Sequence, residues 1–154
     1  MRKLPLLALA LAACTVSFTV PATAADDEPP TLEEDYDYPG AADILRTKGI
    51  KLLKGDGHIL LADCLPGTGQ LEVYSNTKNQ VCFTVTGQTG RLTLEIPNTY
   101  NIRGPAGHTV TVGVTIGGTA SQVTIAPGQF RGVGQGADPT SLPATLLEIH
   151  ATKA

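Results

Sequence analysis

The chain has 154 residues, 42% hydrophobic and 16% charged, with 17 glycines, 11 prolines, three cysteines and no tryptophan. That is the length of one domain, with enough apolar content for a core and too little charge for a disordered chain; the glycines and prolines exclude long helices. A net charge of −3 excludes a broadly basic nucleic-acid binder.

In chain order, the first element is a targeting sequence. Arg2-Lys3 is a basic start, residues 4–13 are apolar, and Ala22-Thr23-Ala24 places small residues where a signal peptidase needs them. Residues 1–24 read as a signal peptide, and the mature protein is expected to be secreted. Leu11-Ala12-Ala13-Cys14 also fits a lipobox, in which Cys14 would carry a lipid. The apolar stretch continues through Val16, Phe18 and Val20, which favours plain secretion over a lipoprotein linker. Unless Cys14 is lipidated, no membrane partner is expected.

Residues 25–43 follow as an acidic tail. Between Asp26 and Asp43 stand eight acids and no base, interrupted by Pro29, Pro30 and Pro39. Such a segment buries too little to offset its ordering entropy, so disorder is expected. From residue 44 onward six acids face nine bases, so a negative tail precedes a positive body. The tail is either a solubilising leader or a linear motif. In the second reading Glu33, Glu34, Asp35, Tyr36, Asp37 and Tyr38 bind a partner, the tyrosines giving rigid contact area and the acids steering.

Residues 44–154 read as an all-β domain. A turn or two of helix is expected around Ala41 to Lys48, stopped by Gly49. Residues 49–54 and 58–64 flank Gly55-Asp56-Gly57 and read as a hairpin. Alternating runs follow at 71–75, 81–86 and 91–96, separated by the turns 76–79 and 87–90. Residues 108–116 alternate cleanly, Gly117-Gly118 permits a tight turn, and 121–126 is its partner strand. Phe130 to Val133 and 144–151 complete the set. The expectation is an immunoglobulin-like sandwich of seven or eight short antiparallel strands.

With Cys14 removed alongside the signal, Cys64 and Cys82 are left eighteen residues apart, and an even pair in an exported protein reads as one disulfide. His58, His108 and His150 are scattered, without metal-ligand spacing, so no metal and no cofactor are expected. Ser75, Ser121 and Ser141 lie outside any Gly-x-Ser-x-Gly, and Gly132, Gly134 and Gly136 have no following helix to make a nucleotide fingerprint. Glu72 and Glu95 read as solvent-facing strand residues, His108 as solvated, and Phe83 and Phe130 as core. Asp56-Gly57-His58 reads as turn chemistry. Catalysis is not expected.

The segment 97–107 reads as an exposed loop carrying Tyr100, Ile102 and Arg103. Tyr100 and Arg103 are of the types that dominate binding hot spots, and Arg103 could enter the acidic pocket of a trypsin-like protease. The plainer reading is a crossover loop with Ile102 folded onto the core.

The signal sequence, the acidic tyrosine-bearing leader, the run Lys48-Gly49-Ile50-Lys51-Leu52-Leu53-Lys54-Gly55-Asp56-Gly57-His58-Ile59-Leu60-Leu61-Ala62-Asp63-Cys64 and the all-β body resemble small secreted proteins of streptomycetes. Among these, the layout is similar to the adaptor subunit of umbrella toxin particles. The resemblance implies a small non-enzymatic protein that links a large repeat-containing toxin chain to trypsin-like lectin subunits. Residues 25–43 would then insert in a partner cleft while the β body docks elsewhere. The expected function is a secreted, non-catalytic adaptor with protein partners. The alternatives are a protease inhibitor using the 97–107 segment and a small secreted hydrolase.

Overall fold

The computed structural model describes residues 36–154. Residues 1–24, expected to be a signal peptide and including Cys14, and the acids Glu33, Glu34 and Asp35 lie outside the described residues. The elements are β1 (Tyr36–Asp37), α1 (Ala41–Lys48), β2 (Lys51–Gly55), β3 (Ile59–Ala62), β4 (Leu71–Ser75), β5 (Asn79–Val85), β6 (Thr89–Arg103), β7 (His108–Ile116), β8 (Thr119–Ile125), β9 (Phe130–Gly132) and β10 (Ala144–Lys153). The domain is all-β apart from α1 and a 3-10 turn at Gly134–Gly136. Among the described residues there are ten strands, where seven or eight are expected from the pattern. The two-residue β1 is part of the excess and is too short to show periodicity, whereas β9 falls within the run expected at Phe130 to Val133.

Every pairing is antiparallel, in the order β3-β5-β4-β6-β10-β7-β8, with β2 and β9 also on β6 and β1 on β2. β6 is the strand that makes this possible. Its first part pairs with β2 and β10, and its last part with β4 and β9. Between them Asn98 takes a positive φ of 52°, and Thr99 stands opposite both Ser75 and Ala144. A single strand therefore serves two halves of the sheet.

Alternation dictates which faces are buried. Val110, Val112 and Val114 of β7, Leu92, Leu94 and Ile96 of β6, and Leu71 and Val73 of β4 are all buried. They join Phe83, Leu146 and Ile149 in one apolar cluster fed by both halves. In β10 the register shifts between Leu146 and Glu148, which leaves Leu147 39% exposed before Ile149 returns to the core.

Two turns behave as the sequence predicts. β7 and β8 meet in a two-residue hairpin whose Gly117 and Gly118 have φ of 57° and 83°, a conformation that costs a side-chain-bearing residue dearly. α1 spans Ala41–Lys48 and ends at Gly49, whose N–H donates to the Leu45 carbonyl at 2.9 Å. The Asp-Gly turn differs from expectation, because β2 pairs with β6 while β3 pairs with β5. The Asp56 carboxylate explains the departure. It accepts from the His58 N–H at 2.9 Å and from the Arg91 N–H at 2.9 Å, pinning the turn to β6 as the chain passes between halves. Residues 86–88 likewise carry the chain from β5 to β6, a strand with which β5 does not pair.

The tail boundary also moves. Tyr36 and Asp37 pair with Gly55 and Lys54, and Tyr38 is buried in the core with its hydroxyl accepting from the Leu61 N–H at 2.7 Å. Residues 36–43 are therefore part of the folded domain rather than a disordered tail, because one ring and its hydroxyl anchor them. Cys64 and Cys82 are joined as a disulfide, Cα–Cα 5.2 Å. No helix among the described residues is long and apolar enough to cross a membrane.

Candidate recognition site

The outer face of β9, β6, β4 and β5 gathers the protein's unusual side chains. Register makes two rows across these strands. Phe130, Arg103, Glu72 and Cys82 are opposite one another in the first, and Gly132, Asn101, Tyr74 and Gln80 in the second. Cys82 extends the first row through the disulfide to Cys64.

Glu72 is the hub. Only 8% exposed, it would be costly as a lone carboxylate, and three donors hold it. Arg103 Nη1 lies 3.1 Å from Oε1, the Tyr74 hydroxyl donates to Oε2, and Gln80 Nε2 donates to Oε2 at 3.2 Å. The Arg103 guanidinium in turn lies 5.4 Å from the centre of the Phe130 ring. Tyr74 packs against Phe130 at 6.1 Å and against Tyr100 at 6.3 Å, both tilted. Phe130 remains 56% exposed. Three aromatic rings thus form a ledge beside a cleft of about 230 Å³ lined by Glu72, Gln80, Arg103, the disulfide and residues 65–67.

A glycine-rich turn supports the ledge from below. A side chain on Gly136 would run into the Tyr100 carbonyl, so only glycine lets the 3-10 turn lie against β6. Val133 N–H donates to that same carbonyl at 3.0 Å. The glycines at 132, 134 and 136 therefore serve backbone packing.

The hydroxyl of Tyr74 is pushed up to about 12, first by its hydrogen bond to Glu72, then by burial and by the carboxylate's charge, with Arg103 opposing. A phenol whose pKa is raised on folding favours the neutral form. Its contribution to stability is whole below about pH 10 and is lost as pH rises from there through about 12. In a near-ultraviolet absorbance titration Tyr74 should ionise near 12, and Glu72→Gln should bring it back toward 10. Unchanged late ionisation in Glu72→Gln would show that the carboxylate is not the cause.

Of the residues singled out in the sequence, the structure brings Tyr100 and Arg103 together here. They stand in strand β6, since 97–103 is strand and only 104–107 is loop, and Ile102 between them is core. Tyr36 and Asp37 are exposed on β1, which pairs with β2 in the other half of the sheet, so they do not join the ledge. Tyr38 is buried and is a core residue, unavailable as a partner contact. Glu72, Tyr74, Gln80 and Phe130 are site residues that the pattern does not single out. Phe130 is exposed rather than core, and Glu72 is buried rather than solvent-facing. The Glu72-Val73-Tyr74 alternation did place both on one face; only the cross-strand partners reveal the cluster.

The remaining chemical candidates are elsewhere occupied. Ser75 donates to the Pro97 carbonyl at 2.7 Å, His150 Nε2 is 2.6 Å from Glu148, and Glu95 pairs with Lys51 at 2.7 Å. His108 is buried against expectation, its Nε2 3.0 Å from the Gly87 carbonyl. Neither any protein-family model nor any curated protein matches this sequence.

Proposed function

We propose that the chain is an exported, non-catalytic protein-binding module that acts as an adaptor, as the resemblance to umbrella-particle adaptors implies. The observation that carries this reading is the Tyr74–Tyr100–Phe130–Arg103 ledge. It concentrates aromatic and arginine side chains, the types that supply most interface energy, on a rigid four-strand face already ordered by Glu72. The immunoglobulin-like sandwich belongs to the same reading, supported by the two halves of the sheet feeding one buried cluster. A second binding element is the acidic segment ahead of β1, and β1 itself pairs with β2 rather than with the strands of the ledge. Two separate elements are what a linking protein needs. An inhibitor would present a free basic residue, whereas Arg103 is held by Glu72 on one side and Phe130 on the other.

The test is capture from the producing culture's supernatant with three proteins: the natural sequence, Phe130→Ala, and a deletion of residues 25–35. The deletion stops before Tyr36 so that the core is untouched. The natural protein should retain two secreted partners, Phe130→Ala should lose one by at least about tenfold, and the deletion should lose the other. Recovery of the same proteins by all three would refute the adaptor reading.

A further inference from the structure

Sheet edges differ sharply in how they are closed. At the β3 end, the Leu61 N–H is taken by the Tyr38 hydroxyl, and Lys48 of α1 reaches Asp63 at 3.6 Å, so helix and tyrosine cover the edge. β1 and β9 are only two and three residues long. β8 ends the sheet at the other side with seven residues, mostly exposed, and no other strand among the described residues pairs with its outer side.

Natural edges are protected by charge, proline, bulges or brevity. β8 has none of these. No Asp, Glu, Lys or Arg occurs from residue 104 to residue 130, and the β7–β8 register runs without a shift. In a two-residue hairpin the pair flanking the turn, here Ile116 and Thr119, exchanges both backbone hydrogen bonds. Residues 119, 121, 123 and 125 therefore bond inward to β7, and the N–H and C=O groups of Ala120, Gln122 and Thr124 point out of the sheet. These three are symmetric about Gln122. A twofold antiparallel copy sets Gln122 against Gln122 and Ala120 against Thr124, pairing all of them in roughly six backbone hydrogen bonds.

We propose that β8 is a strand-addition edge through which two copies of this chain pair about Gln122. The occupant is a second copy because the edge is self-matching and uncharged: identical strands meet without like-charge contact, and a charged foreign strand would find no countercharge here. One strand pair covers less than the roughly 1,200 Å² of a typical stable interface, so the dimer is expected to be weak, with a Kd on the order of 10–100 µM. The proposal rests on the sheet edge and is independent of the ledge.

Sedimentation equilibrium of the protein produced from the full chain, over about 5 to 500 µM, tests it. The expected result is a monomer–dimer equilibrium that Gln122→Pro weakens at least tenfold, since that N–H bonds nothing in β7 and its loss spares the fold. Gln122→Lys, which sets two ammonium groups across the axis, should do the same and serves if the proline variant loses its β circular dichroism. A monomer across the whole range would overturn the proposal. A dimer that withstands both substitutions would equally overturn it, by placing the interface elsewhere.

Discussion

Tyr38→Ala is expected to destabilise the domain by about 3–5 kcal/mol, measured as a fall in the urea midpoint. The ring is 8% exposed and belongs to the apolar cluster with Ile50 and Leu52, so truncation leaves a cavity that a β-sheet relaxes into poorly. The lost hydroxyl also strips the Leu61 N–H of its acceptor, which contributes about 1–2 kcal/mol of that total. Tyr38→Phe separates the terms, keeping the ring and losing only the acceptor, and should cost about 1 kcal/mol. An unchanged midpoint in Tyr38→Ala would return this residue to the partner-binding motif in which the sequence places it. The distinction matters for truncation studies, because removing residues 25–43 would damage the core and the N-terminal segment together.

Removing the Cys64–Cys82 bridge by a double Cys→Ala substitution should cost about 3 kcal/mol, a drop of roughly 10 °C in Tm for a domain of this size. The loop it closes is eighteen residues around, and the bridge joins it to β5 beside the cleft. Two hydrogen bonds persist without it: Leu65 N–H donates to Gln70 Oε1 at 3.0 Å, and Gln70 Nε2 donates to the Asp63 carbonyl at 3.0 Å. The melting temperature should therefore fall while the late titration of Tyr74 stays in place, since Glu72 and Arg103 are on strands rather than on that loop. Identical melting with and without reductant would show that the sheet needs no covalent staple.

Elements with a strong local signal were legible in the sequence. The alternation of β7, the Gly117-Gly118 turn and the short helix ending at Gly49 are each decided within a few residues, and the disulfide by the count of cysteines beyond residue 24. What failed depended on distant partners. The Asp-Gly turn has hairpin chemistry, yet Arg91, thirty-five positions away, takes the second oxygen of Asp56 and turns a hairpin into a crossing. Phe130 reads as core because it is large and apolar, but β9 pairs with the outer part of β6 and sets its ring beside Arg103. Glu72 reads as a surface carboxylate because nothing nearby in sequence shows Arg103, Gln80 and Tyr74 converging on it. Tyr38 sits in an acidic, proline-broken stretch whose composition outweighed one aromatic ring. Of the ledge, Tyr100 and Arg103 were legible by residue type, and their neighbours by geometry alone.

The interior position of β10 has a consequence for how the molecule comes into being. Residues 144–153 lie between β6 and β7, so this interior strand leaves the ribosome after both of the strands it joins. Until they arrive, β6 and β7 have no strand between them, and the apolar rows of Leu92, Leu94, Val112 and Val114 lack the cover that Leu146 and Ile149 provide. A chain emerging N-terminus first is thereby kept from joining β6 to β7 until β10 has followed them.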